Sequence, residues 1–107
     1  MLNSADQLAG DSAAKKRQAL LGQASTCASL PGGLAEVFRQ LTEQSLADLP
    51  QPGSGQTLVR WQAFADVAAH DLSLVKLFEG HNDALAIQRE LCPDVLIPAG
   101  TTWGVWA

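Results

Sequence analysis

Pro50, Pro52, Gly53 and Gly55 crowd into one short segment, and no regular helix passes through such a stretch. The chain is therefore divided into two helical halves joined by an exposed linker. On the C-terminal side, Thr57 to Leu91 reads as two helices. At about 100° per residue, Leu58, Trp61, Phe64, Ala65, Ala68 and Ala69 cover a broad apolar sector of the first. Gln62, Asp66 and His70 share the opposite side, and Arg60 sits at the edge of the apolar one. Ser54 or Thr57 is the expected N-cap. Asp71 then caps a further helix, on which Lys76, Glu79, Asp83 and Glu90 form a solvent stripe. Leu74, Leu77, Phe78, Ala84 and Leu85 form its buried stripe, with His81 and Gln88 inside that sector.

On the N-terminal side, residues 1–11 read as a flexible segment. Ser12 caps a weakly amphipathic helix that runs to about Ser25. A turn at Leu30-Pro31-Gly32-Gly33 precedes a helix that aligns Leu34, Val37, Phe38, Leu41 and Ser45 and ends near Leu49. Beyond Leu91, Asp94 to Ile97 suits an extended connector closed by Pro98. In the tail, Trp103 and Val105 would point one way and Gly104 and Trp106 the other, as in a strand covered on both faces. No other convincing strand exists to pair with it. The alternative is a tail that folds its indoles back onto the helices.

The expected fold is all-α: a small antiparallel bundle of about four helices over residues 12–91, with Trp61, Phe38 and Phe78 in its core. Residues 92–107 form a connector and an extended C-terminal tail that would begin a β domain. A length of 107 residues allows one hydrophobic core. A net charge of −4 argues against general binding to nucleic acid or anionic membranes, since both need a basic face. Lys15-Lys16-Arg17, the only basic cluster, reads as an exposed helical edge. Cys27 and Cys92 are too few and too far apart for a disulfide framework or metal knuckle, and point to reduced thiols in the cytoplasm. No apolar run has the length of a membrane span.

No complete catalytic constellation is present. His81 is the strongest chemical candidate, because desolvation on an apolar helix face lowers an imidazole pKa. A core histidine bonded to a backbone carbonyl is the favoured reading, since no Ser, Cys or carboxylate is spaced to complete a catalytic pair. Glu79 and Asp83 are neighbours on one helical face, but that face is polar and reads as a solvated stripe. Gly53-Ser54-Gly55-Gln56-Thr57 lacks the spacing and preceding strand of a phosphate loop. His70 and His81 are separated by a helix break, which disfavours a shared metal site.

The run TLVRWQAFADVAAHDLSLVKLFEGHNDALAIQREL, with Thr102-Trp103-Gly104-Val105-Trp106-Ala107 after it, resembles the end of the N-terminal helical domain of the acyl-CoA dehydrogenase family. The likeness lies in two helices meeting at the Asp-containing break His70-Asp71-Leu72-Ser73-Leu74, and in a His within Glu79-Gly80-His81-Asn82-Asp83-Ala84-Leu85. A Trp-containing segment then follows. The resemblance implies the front portion of an FAD-dependent oxidoreductase that acts on an acyl-CoA-type substrate and assembles as a homo-oligomer. Its β domain and C-terminal helical domain would bind FAD and supply the catalytic Glu. Leu74, Phe78, His81 and Leu85 would line part of the acyl pocket, and this chain would hold no catalytic residue. The sequence departs from the family in its short route from Leu91 through Pro98 to Trp103, and the Thr-Glu-Pro segment is absent. A free-standing helical protein-interaction module is the alternative.

Overall fold

Asp71 is the joint around which the C-terminal half is organised. In the computed structural model, which describes residues 4–24 and 31–105, the Asp71 side chain accepts a hydrogen bond from the Leu74 amide at 2.8 Å. This N-cap starts a new helix immediately after the previous one ends. Four helices are described: α1 (Ser4–Ala24), α2 (Gly33–Glu43), α3 (Thr57–His70) and α4 (Leu72–Leu91). Phe64 meets the Phe78 ring edge-on, and Arg60 reaches Asp83. These pairs lie almost symmetrically about Asp71, so α3 and α4 run antiparallel as a hairpin. α1 packs on α2 and α3, and α4 packs on the same two, which closes a four-helix bundle. Among the described residues there is no strand, so the all-α expectation holds.

The core joins Leu20 and Leu21 of α1, Val37 and Leu41 of α2, Ala63 and Val67 of α3, and Leu74 and Phe78 of α4. Phe78 is fully buried and Phe38 packs against the cluster from its edge. Trp61, expected in the core, is 64% exposed. The buried face of α3 is centred on Arg60, Ala63 and Val67, roughly 140° around the helix from the expected sector. α3 is apolar over more than half its circumference, and periodicity alone did not choose which part of that arc faces inward. Leu77, assigned to the buried stripe of α4, lies at its edge and is 41% exposed. Gln56 stands at the N-cap of α3 without a side-chain cap bond, in place of the expected Ser54 or Thr57.

Two other boundaries differ from expectation. α1 begins at Ser4, so the flexible segment expected over 1–11 is helical from Ser4 onward and Ser12 lies inside the helix. Ala5, Gln7, Leu8 and Ala9 favour helix, and Gly10 alone costs only about 1 kcal/mol. α2 stops at Glu43 rather than near Leu49. Ser45 takes a left-handed conformation (φ 58°). The Leu46 amide donates to the Leu41 carbonyl at 2.8 Å and the Ser45 amide to the Thr42 carbonyl at 3.2 Å. That is the Schellman arrangement, usually built on glycine. It turns the chain so that Leu46, Ala47 and Leu49 all enter the core.

Side chains from three helices then hold this buried loop. Arg17 Nε of α1 donates to the Leu46 carbonyl at 3.1 Å, and Arg60 Nη1 of α3 donates to the Pro50 carbonyl at 3.0 Å. Asn82 of α4 accepts from the Leu49 amide at 3.3 Å and donates to the Phe78 carbonyl at 2.9 Å. A non-helical backbone inside a core needs such partners, because an unpaired buried amide or carbonyl costs about 1–3 kcal/mol. Arg17 is therefore buried, not part of an exposed basic edge; Lys15 and Lys16 are exposed as expected.

Candidate functional site

After Leu91 the chain leaves α4 and returns over the bundle. Pro98 to Thr101 forms a tight turn with Gly100 at φ 77°, closed by the Thr101 hydroxyl donating to the Pro98 carbonyl at 2.7 Å. The Trp103 indole N–H donates to the same hydroxyl at 2.8 Å. This strap covers a cavity of about 150 Å³ bordered by Thr42, Asp48, His81, Leu85 and Arg89. The segment expected to form a strand is irregular through Val105. Trp103 is tied to α4 through its backbone amide, while its indole is 40% exposed and bonds within the strap; Trp106 lies outside the described residues.

His81 is 4% exposed and borders the cavity from α4. Its Nδ1 accepts a hydrogen bond from the Trp103 backbone amide at 3.1 Å. The partner is thus a backbone amide donor rather than the carbonyl acceptor expected for a core histidine. An imidazole nitrogen that accepts carries no proton, so the neutral ring carries its proton on Nε2. The Phe38 ring meets the imidazole edge-on at 5.5 Å. Burial holds the His81 pKa below its ordinary value; Asp48 opposes that shift and Arg89 adds to it. Arg89 and Asp48 form an ion pair at 2.8 Å beside the ring.

The four residues expected to line a pocket separate into two pairs. Leu74 and Phe78 are completely buried in the bundle core and offer no surface to a ligand. His81 and Leu85, one and two turns further along α4, border the cavity. The cavity lies below the roughly 300 Å³ at which small-molecule sites begin. It is lined by a histidine with one nitrogen committed, a neutralised Arg–Asp pair, Ser45, and Thr42 and Thr101, whose hydroxyls donate to backbone carbonyls rather than to His81. That set can accommodate a small polar or apolar group but supplies no nucleophile with an adjacent base.

A second, open groove of about 520 Å³ runs between α3 and α4, walled by Trp61, Phe64, Ala65, Ala68 and Val75, with Arg60, Glu79 and Asp83 at its rim. Arg60 is already committed to the Pro50 carbonyl, to Asp83 at 3.5 Å and to the face of Phe64 at 5.3 Å. Glu79 is exposed, so Glu79 and Asp83 belong to a charged surface and not to an acid–base pair. Neither hollow offers the uncommitted cations or convergent amide donors that a dinucleotide's phosphates need. Neither of these two hollows therefore fits FAD. No group of three or more His, Cys, Asp or Glu among them could hold a metal. Cys92 is exposed and free, and Cys27 lies outside the described residues.

Sequence reasoning missed Asn82, Arg17 and Arg60 as buried polar anchors. Asn82 had a readable signal, since it follows Phe78 by four residues and Leu74 by eight and so shares their face. Arg17 had none, because its acceptor is a carbonyl exposed only by the unforeseen end of α2.

No helix among the described residues is long and apolar enough to cross a membrane. The chain matches no protein-family model, no curated protein and no solved structure.

Proposed function

We propose that this chain is the N-terminal helical domain of an acyl-CoA dehydrogenase-like, FAD-dependent oxidoreductase, in which α4 forms part of the wall of the acyl pocket. The observation that carries the reading is the Asp71 joint followed by an α4 that presents His81 and Leu85 to a strap-covered cavity. That arrangement fits the residues on which the family resemblance rests: the Asp-containing break, the His-bearing second helix and the Trp-containing segment after it. Leu74 and Phe78 support the wall from behind, while His81 and Leu85 are the residues able to meet an acyl chain.

Flavin and the proton-abstracting base come from the β and C-terminal helical domains of the parent enzyme, and this chain alone neither retains FAD nor oxidises acyl-CoA. Exposed Leu58, Trp61, Leu72, Leu91 and Leu96 agree with a domain whose faces are covered by neighbours. A His81→Leu variant of the parent should change the preference for acyl chain length and leave its flavin content intact. Lost flavin with unchanged selectivity would count against a wall role.

A free-standing helical interaction module is the second reading, favoured by the closed core and by the apolar α3–α4 groove. It calls for a stable monomer of residues 1–107 that shows no association with flavoprotein domains.

A further inference from the structure

The strap from Leu96 to Val105 has no charged side chain. Its internal hydrogen bonds close its own turn and hold the Trp103 indole. Among the described residues, one hydrogen bond joins it to the helices: Trp103 N–H to His81 Nδ1, at 3.1 Å. The acceptor is the only side-chain type whose ordinary titration falls in mildly acidic solution, and it accepts only while that nitrogen is unprotonated.

We infer that His81 is a latch operated by pH: protonation at Nδ1 removes the acceptor that anchors the strap, and Ile97 to Val105 lift away, uncovering the cavity that Ile97 to Thr101 border. Each half of the contact would then present an N–H to the other, so the bond is lost and replaced by repulsion. Opening bares His81, Leu85 and Thr42 to solvent. The step transfers one proton from hydronium to Nδ1: an O–H bond breaks, an N–H bond forms, water is left behind and the ring takes the positive charge.

The charged groups around the latch set when it opens. From α4, Arg89 disfavours an imidazolium, and from the loop after α2, Asp48 favours it; the two are paired with each other. From α2, Phe38 presents only an uncharged ring, and Glu43, whose stem lies against Gly100, is held by Arg39. Burial outweighs these and lowers the pKa of the closed form. The closed strap is accordingly at full stability above the ordinary histidine pKa of about 6.5, and loses it as pH falls through the lower value of the closed state. This behaviour does not depend on the chain belonging to a flavoenzyme.

Amide hydrogen exchange of Trp103 in the whole chain, corrected for intrinsic rates and followed from about pH 7.5 to about pH 5 alongside the His81 ring nitrogen shifts, tests the latch. Protection of Trp103 should drop by roughly tenfold or more, with the same midpoint as the ring titration, while Leu85 in α4 keeps its protection. In His81→Gln, which cannot titrate in this range, the protection of Trp103 should be flat with pH. Unchanged Trp103 protection through the ring titration would overturn the latch, as would the same acid-induced loss in His81→Gln. If the Gln variant does not fold, agreement or disagreement of the two wild-type midpoints decides the matter.

Discussion

The backbone amide of Trp103 donates to Nδ1 of His81 at 3.1 Å, joining the end of the described chain to the middle of α4. The bond fixes the imidazole as neutral, orients its remaining proton on Nε2, and brings the strap over the cavity that His81 and Leu85 border.

Acid should therefore weaken the native state through His81. Its pKa is depressed in the folded protein, so the unfolded chain takes up the proton first as pH falls below about 6.5. The urea midpoint should fall between about pH 7 and about pH 5, and His81→Phe should show a shallower dependence over the same interval. Parallel slopes in the two proteins would assign the acid sensitivity to other groups.

Core and groove aromatics should separate sharply. Phe78→Ala should cost about 3–5 kcal/mol in equilibrium unfolding, because the ring is fully enclosed between α3 and α4. Trp61→Ala should cost less than about 1 kcal/mol, as expected for a surface position. Comparable losses would place Trp61 in the core after all.

These two aromatics also show what the sequence could convey. The α4 phase was legible from Leu74 to Leu85 because charged residues confine its apolar stripe, and Asp71 announced the joint through a local capping bond. The α3 phase was not legible: apolar residues occupy most of its circumference, and the inward side is settled by Arg60 reaching the Pro50 carbonyl. The end of α2 was hidden because a serine fills the position that glycine normally marks. With that end misplaced, the buried loop from Leu46 to Pro50 and its anchor Arg17 could not be foreseen. For the candidate site, the burial of His81 followed from periodicity, whereas its partner Trp103, remote in sequence, is a tertiary contact that periodicity does not encode.

Ser45→Gly should stabilise the protein by about 0.5–1 kcal/mol. The left-handed conformation costs a side-chain-bearing residue roughly 1–2 kcal/mol, and glycine's extra unfolded-state entropy offsets part of the relief. Thermal unfolding reports this as a rise in midpoint; a fall would mean that Ser45 makes a compensating bond.

Arg17→Met keeps much of the buried stem but removes the donor to the Leu46 carbonyl. Loss of about 1–3 kcal/mol is expected from the stranded acceptor. Lys16→Met, on the exposed side of the same helix, should change stability by less than about 0.5 kcal/mol. Equal effects would remove the case for Arg17 as an anchor of the buried loop.

The acyl-CoA dehydrogenase reading is tested most directly on the polypeptide that the natural gene encodes, purified and measured for flavin absorbance together with dye-linked oxidation of acyl-CoA of graded chain length. A yellow protein that oxidises acyl-CoA, with residues 1–107 alone colourless and inactive, is the expected result. A colourless gene product without acyl-CoA oxidation would contradict it and leave the helical interaction module in its place.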